Sequence, residues 1–363
     1  MRIGIDAREL CGRATGAGRY LAGLLAEWGK SDRARDHNFL LYTPESFTAR
    51  LDARRFPTRL VPGPPGVWWE QVRLPRAAAG DQLDVLFSPA YTLPLPLTAP
   101  TVVAIHDLSF VAHPEWFRTR EGLRRRWLTR HSAEKARAVV TISEFSRGEI
   151  VERLGVPYER VHVIPPGVNR HQGAERPRAA VDGHHRVLYV GSIFNRRHVP
   201  DLIRAFGKMA STHADASLDL VGDNRSYPHE DVRNTIDAEG LSYRVRWHAY
   251  LPDAELRELY GRAHAFAFLS EYEGLGLTPL EALAAGVPPV LLDTPVARES
   301  CGDAALYVPV RDIRATARAL ERALFDQAAR ARILAAAPAV LAKYDWPRAA
   351  RETLAVLEAV VGR

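Results

Sequence analysis

The sequence predicts an α/β protein made of two doubly wound, parallel-sheet domains. Short apolar runs alternate with helical stretches along the whole chain, and the series restarts after a polar, Gly- and Pro-containing stretch near the middle. The glycine-rich and charged motifs stand directly after predicted strands, at the carboxyl ends where open α/β sheets bind ligands.

In the first series Arg2–Ile5, Phe39–Tyr42, Val85–Phe87, Val102–Ile105, Val139–Ile142 and Val161–Ile164 read as strands. A helix over Gly18–Trp28 places Tyr20, Leu21, Leu24, Leu25 and Trp28 on one face, the spacing of a helix packed on a sheet. Pro165-Pro166-Gly167 ends this series, and the polar residues 171–184 read as a linker. In the second series the strands are Val187–Val190, Leu218–Val221, Val245–His248, Ala265–Leu269, Val290–Leu292 and Ala305–Val308. Pro288-Pro289 stands at a strand start, where a missing N–H is tolerated. After Asp345 a last helix starts at Pro347 and puts Ala350, Leu354, Leu357 and Val361 on one face that must pack on something. The expected organisation is a first domain over 1–170, a linker over 171–184, a second domain over 185–344 and a final helix over 345–363. Both domains read as Rossmann-like, facing across a cleft.

A chain of 363 residues is long enough for two cores, and 47% hydrophobic and 25% charged residues are ordinary for a globular protein. No apolar run approaches the roughly 20 residues of a membrane span, and the opening Arg2-Ile3-Gly4-Ile5-Asp6 has no signal-peptide core. Cys11 and Cys301 stand far apart and supply no metal or disulfide framework, so a reducing cytoplasm is expected. The net charge of +6 invites a nucleic-acid reading. However, Lys30, Lys135, Lys208 and Lys343 are the only lysines; an arginine excess of this kind reflects genome composition, and no nucleic-acid partner is expected. One local cluster stands out: Arg118, Arg120, Arg124, Arg125, Arg126 and Arg130, with Trp116, Phe117 and Trp127 among them. It reads either as a solvated helix face or as a patch for anionic lipid headgroups or a phosphate-bearing acceptor.

The densest motif runs from Glu271 to Gly286. Gly274 and Gly276 free the backbone to bend, Thr278 reads as an N-cap, Pro279 as the first helical residue and Gly286 as the closing cap. The loop and the helix N-terminus make an anion site flanked by Glu273 and Glu281. A capping-box role alone would explain Glu281, three residues past Thr278, whereas Glu273 has no obvious packing duty. Arg196-Arg197 follows the first strand of the second domain and could clamp a diphosphate or form a solvated pair. In the first domain, Gly16 and Gly18 form either a turn before a helix or a close approach to substrate. Leu21 stands where a dinucleotide fingerprint needs its third glycine, which argues against hydride transfer. His106-Asp107 ends a strand, and its imidazole is either catalytic or a hydrogen-bonded surface group. Ser146-x-x-Glu149 fits a capping box.

Taken together, Ser270-x-Tyr272-Glu273-Gly274-Leu275-Gly276-Leu277-x-Pro279-Leu280-Glu281-Ala282 resembles the Glu-x7-Glu signature of the retaining GT-B glycosyltransferases of family GT4. Further motifs follow in that family's order: Asp6-Ala7-Arg8, Thr15 to Tyr20, Trp69-Glu70-Gln71, Ile105 to Leu108, Thr141 to Ser146 and Val163 to Val168. The resemblance implies a nucleotide sugar held mainly by the second domain, an acceptor entering from the first, and a final helix crossing back to the first domain. It implies that Glu273 contacts the transferred sugar, that Glu281 bonds the ribose, and that amides around Gly276 and Leu277 bind the donor. His106 would touch the donor sugar, Gly16 and Gly18 would let the first domain close, and the backbone near Leu251 would meet the base. The family's usual Arg-Lys is Arg196-Arg197 here, which keeps the charge but changes a point-like ammonium to a planar fork. His198 replaces the asparagine that usually follows.

The expected activity is sugar transfer, with mannose a leading choice, from a GDP- or UDP-sugar to a hydroxyl of a glycan or lipid-linked acceptor. Retention at the anomeric carbon is expected, with Glu273, His106 and Arg197 as catalytic residues. The substrate-binding set is Gly16, Gly18, Arg196, Arg197, Leu251, Gly274, Gly276, Leu277 and Glu281. No Asp-x-Asp motif is present, so no metal or other cofactor is expected. The expected place is the cytoplasm, with the 116–130 stretch as a peripheral contact to the inner membrane face. The alternatives are a sugar-nucleotide epimerase or hydrolase on the same scaffold, or a two-lobed binding protein without turnover.

Overall fold

The computed structural model describes residues 1–12, 16–47, 51–168 and 185–362. The expected linker 171–184 lies outside the described residues, as does Thr15 of the opening motif. The chain separates into two compact units, Met1–Gly167 with Tyr344–Arg363, and Val168–Lys343.

The first unit carries a seven-stranded sheet in the order β3-β2-β1-β4-β5-β6-β7. Its strands are β1 (Arg2–Asp6), β2 (Asn38–Thr43), β3 (Thr58–Leu60), β4 (Val85–Ser88), β5 (Thr101–Ala104), β6 (Ala138–Thr141) and β7 (Val161–Val163). All pairings are parallel. Strands β4, β5 and β6 are buried along their whole length, which explains why they read as unbroken apolar runs instead of alternating ones. The sequence reading does not include β3. All three of its residues are exposed at the sheet edge, and only pairing with Leu41–Thr43 makes them a strand.

Helix Gly16–Lys30 buries Tyr20, Leu21, Leu24, Leu25 and Trp28 against this sheet, the face the periodicity predicts. The final helix, Trp346–Val361, packs on the same core: Ala349, Ala350, Leu354 and Leu357 join a cluster with Ile3, Ile5 and Leu24. Each fully buried leucine contributes about 1.5–3 kcal/mol. Trp28 Nε1 donates to the Ala350 carbonyl at 2.8 Å, satisfying the one polar atom of a side chain that is 1% exposed. Asp345 caps the helix through the Arg348 amide at 2.9 Å, so the helix starts at Trp346, one residue before the expected Pro347.

The second unit carries a six-stranded parallel sheet in the order β10-β9-β8-β11-β12-β13. Its strands are β8 (His185–Val190), β9 (Ala216–Val221), β10 (Val245–His248), β11 (Ala265–Phe268), β12 (Pro289–Leu292) and β13 (Leu306–Val308). Pro289 opens β12, where no ladder donor is required of it. In each unit the strand order reverses beside the first strand, between β1 and β4 and between β8 and β11. These switch points are where a doubly wound sheet leaves an open crevice at its carboxyl ends.

Candidate functional site

At the β8/β11 switch point the structure brings two loops together. The loop after β11 runs from Leu269 to Gly276, and Gly276 takes φ 87 and ψ 65, a left-handed conformation that glycine adopts without steric cost. Its dihedrals move the helix start. Leu277 is already helical, so the helix is Leu277–Ala284 with Gly276 as N-cap. Thr278 is therefore not the cap and Pro279 is not the first helical residue, correcting both expectations. Pro279 is tolerated at the third position because the first four amides of a helix lack intrahelical acceptors in any case. Gly286 lies one residue beyond the C-cap Ala285, with φ 73. The Gly286 amide reaches the Leu283 carbonyl and the Val287 amide the Ala282 carbonyl, both at 2.9 Å, which is a Schellman closure.

The capping-box reading of Glu281 falls with Thr278. Glu281 is the fifth helical residue, and its Oε2 accepts the Tyr260 hydroxyl at 3.1 Å. Tyr260 is 1% exposed, so it holds the carboxylate from beneath.

Glu273 is fixed from one side only. Its Oε1 accepts from Arg197 Nε and from Ser270 Oγ, both at 2.8 Å, while Oε2 makes no hydrogen bond among the described residues. Its side chain is 17% exposed. A small cavity adjoins the loop, lined in part by Phe268, Ser270, Glu273, Gly276, Leu292 and Ser300.

Arg196 and Arg197 follow β8 in a short 3-10 turn, Asn195–Arg197. They are not a solvated pair. Arg197 gives Nη1 to the Ser192 carbonyl at 2.8 Å and lies over the Phe268 ring at 4.9 Å. Gly191 makes room for it, because a Cβ there would stand 2.8 Å from Arg197 Nη1. Burial alone would lower the Arg197 pKa, but the Glu273 carboxylate beside it outweighs burial and raises it, so the guanidinium stays charged. Arg196 donates from Nε to the Tyr272 carbonyl at 3.3 Å and lies 4.3 Å over the Phe194 ring. Gly274 is buried, while Gly276 and Leu277 are half-buried at the helix start. Leu251 follows the edge strand β10, with β9 between it and β8.

In the first unit Gly16 and Gly18 form the first turn of helix Gly16–Lys30 itself and are not a turn before it. His106 follows β5, the Tyr20 ring meets it edge-on at 4.8 Å, and its Nε2 donates to the Pro89 carbonyl at 2.7 Å. A carbonyl only accepts, so Nε2 carries the proton and Nδ1 is the ring acceptor. Burial pushes the His106 pKa down, against the opposing pull of the Pro89 bond and Asp107. The helix over Glu144–Leu154 is capped by Ser143, whose Oγ takes the Ser146 amide at 3.0 Å. Ser146-x-x-Glu149 is therefore no capping box; Ser146 Oγ instead supports the His106 carbonyl at 3.0 Å, and Glu149 pairs with Arg153.

Sequence reasoning assigned no role to Arg8 or Glu70. Arg8 Nη2 bonds Glu70 Oε1 at 2.6 Å and stands 3.3 Å from Asp6, at the β1/β4 switch point. Burial raises the Asp6 pKa to about 6, opposed by Arg8. Only the grouping of the strand-end motif Asp6-Ala7-Arg8 with Trp69-Glu70-Gln71, which lies in the helical segment Trp69–Arg73, hinted at this network. The basic stretch divides. Arg125 turns inward over the Phe110 ring at 5.1 Å and Arg126 reaches the Phe110 carbonyl, whereas Arg120, Arg124 and Arg130 point outward. Leu123 and Trp127 are 55% and 54% exposed between those outward arginines. Among the described residues no helix is long and apolar enough to cross a membrane.

Comparison with known proteins adds the following. The family model described as "Glycosyltransferase Family 4" matches residues 14–172, and that described as "Glycosyl transferases group 1" matches residues 174–340. The O-antigen chain mannosyltransferase B of Escherichia coli is 27% identical over 76% of this chain and 75% of its own length. The glycogen synthase of Mycobacterium tuberculosis is 29% identical over 74% of this chain and 65% of its own. Among solved structures, the sucrose-phosphate synthase from Thermosynechococcus elongatus superposes with a TM-score of 0.78 at 19% identity, covering 99% of each chain. Anabaena HepE, in complex with UDP and glucose, gives 0.75 at 18% identity, covering 99% of this chain and 100% of its own. These structural likenesses concern the fold.

Proposed function

Because the chain belongs to the group 1 glycosyl transferases with a family 4 first half and has their GT-B fold, we propose that it moves mannose, with retention, from a nucleoside diphosphate to a glycan or lipid-linked hydroxyl. Glycosyl transfer follows from the family; the donor, the stereochemistry and metal independence are the proposal. One observation carries it: the Arg197–Glu273 pair at the β8/β11 switch point, beside the N-terminus of helix Leu277–Ala284.

A departing diphosphate gains negative charge, and a fixed guanidinium with helix amides suits that charge more than it suits the neutral sugar. Arg197 is therefore assigned to the leaving group, with Arg196 and the amides around Gly276 and Leu277 beside it. Glu273 Oε2 is assigned to the sugar and Glu281 to the ribose. The bond from the anomeric carbon to the diphosphate is exchanged for one to the acceptor oxygen, and the acceptor proton leaves with the diphosphate. His106 is assigned as a neutral acceptor of a hydroxyl hydrogen bond through Nδ1. Mannose is favoured by the name of the Escherichia coli relative, and a uridine nucleotide by the HepE complex. GDP-mannose and UDP-sugars are therefore the two donors to try. We assign the reaction to the cytoplasmic side of a membrane, touched through Leu123, Trp127 and the outward arginines.

The test incubates the protein with each donor and a set of lipid-linked glycans, with and without EDTA, and reads the anomeric configuration of the product by NMR. An α-linked product from an α-donor, unaffected by EDTA, supports the reading; an inverted product or an EDTA-sensitive rate overturns those parts. Donor conversion without acceptor would favour an epimerase or hydrolase.

A further inference from the structure

We propose that His198 is a positioning residue for the donor site, tying the Glu271–Gly276 loop to the Arg196-Arg197 turn and so fixing how Arg197 meets Glu273. The proposal rests on the donor reading above.

Three consecutive residues of the turn hold three consecutive residues of the loop. The Arg196 carbonyl accepts the Glu271 amide at 2.9 Å, and Arg196 Nε reaches the Tyr272 carbonyl. Arg197 Nε holds Glu273 at 2.8 Å. His198 Nε2 completes the set by bonding Glu271 Oε1. The His198 backbone is left-handed, with φ 45 and ψ 40, a region non-glycine residues seldom occupy unless their surroundings enforce it. That conformation ends the Asn195–Arg197 turn and starts helix Val199–Ala210 in one step, so the imidazole is anchored to a helix while it grips a loop.

The ring lies between carboxylates. Nδ1 stands 3.4 Å from Asp201 on its own helix, and Asp201 also holds Arg204 at 3.0 Å. From the loop comes Glu271, and from the segment before helix Val232–Ala238 comes Glu230, whose Oε2 is buried without a hydrogen bond among the described residues. An imidazolium can donate to Asp201 and Glu271 at once; a neutral ring can donate to only one. Burial pulls the His198 pKa down, but the bonds to Asp201 and Glu271 outweigh it and the pKa is raised. The tie is therefore complete below the ordinary histidine range and weakens as pH rises through the raised value. Donor binding should weaken with it.

His198→Asn keeps a residue that tolerates the left-handed backbone and removes the imidazolium; Glu271→Gln keeps the shape of the partner and removes its charge. Each should raise the donor KM on the order of tenfold, the effect of one charge-assisted bond, with kcat little changed. Each should also abolish the alkaline rise in donor KM expected of the unaltered protein. A second readout needs no donor: amide hydrogen exchange across residues 271–276 should speed up in both variants. Unchanged loop exchange in folded His198→Asn overturns the inference whatever the activity. Faster exchange in a protein that turns over no nucleotide sugar would leave the tie standing and overturn the donor reading. An unchanged donor KM and pH profile in both variants, with the unaltered protein active, overturns the positioning role.

Discussion

Arg197 Nε meets Glu273 Oε1 at 2.8 Å, joining a residue assigned to the leaving diphosphate to one assigned to the transferred sugar. Either charge alone, half-buried in this crevice, would be costly. Removing one partner of a buried pair typically costs 3–5 kcal/mol because the other is left uncompensated. The pair therefore keeps two charges ready beside a helix N-terminus, and each substitution within it should disturb both roles.

Arg197→Ala is expected to lower kcat by a factor on the order of 10²–10³, the usual loss for one transition-state donor. Arg197→Lys should fall between it and the unaltered enzyme, since the charge stays but the fork that reaches Glu273 and the Ser192 carbonyl together is gone. In a double-mutant cycle with Glu273→Gln, the combined loss should be much smaller than the sum. Steady-state kinetics with folding checked by circular dichroism decide it; strict additivity would show that the pair does not act as a unit.

Tyr260→Phe removes the hydroxyl that holds Glu281 at 3.1 Å. A neutral bond contributes about 0.5–1.5 kcal/mol, so the affinity for the nucleoside diphosphate should drop about 2- to 10-fold. Calorimetry with the free diphosphate reads this directly. If Glu281 does not meet the ribose, affinity stays and the melting temperature alone falls.

His106 should give the activity an acid limb. Its folded pKa lies below the ordinary histidine value, so the ring is neutral at pH 7 and takes a proton only in more acid solution. As pH falls through the window between the unfolded and the lowered folded pKa, the unfolded chain binds the proton first and the fold loses stability. In kcat/KM the limb should appear below pH 6.5, the ordinary histidine value, and be absent in His106→Gln. A pH profile that keeps its acid limb in the variant would assign that limb to another group.

Gly167 and Gly23 should not tolerate a methyl group. A Cβ at Gly167 would lie 2.2 Å from Trp346 Cγ and 2.4 Å from its backbone nitrogen, and one at Gly23 would lie 2.5 Å from the same ring. Overpacking of this kind costs about 1–3 kcal/mol, so Gly167→Ala should lower the melting temperature by several degrees. Gly16→Ala is the contrast. Among the described residues nothing lies within 4 Å of a Cβ placed there, and alanine loses less backbone freedom than glycine on entering a helix. It should stabilise the protein, and if the backbone at Gly16 closely approaches substrate, it should raise the donor KM as well.

Much of the fold was readable in the sequence because sheet and helix periods are local. Runs such as Val85–Phe87 and Ala265–Leu269 are apolar on both faces, as buried parallel strands must be, and the Tyr20 to Trp28 face repeats at helical spacing. The exposed edge strand Thr58–Leu60 had no such pattern, since pairing alone defines it.

The candidate site was legible as a set of residues at strand ends, but not as a set of contacts. The sequence by itself determined which residue types follow β8 and β11: two arginines, three glutamates and a glycine able to turn left-handed. Tertiary structure decided that Gly276 and not Thr278 caps the helix, that Tyr260 holds Glu281, and that Arg197, 76 positions away in sequence, grips Glu273. The physical reason is range. Helix and strand signals come from neighbours within a few residues, whereas a charge finds its partner only when the parallel sheet sets two strand ends side by side.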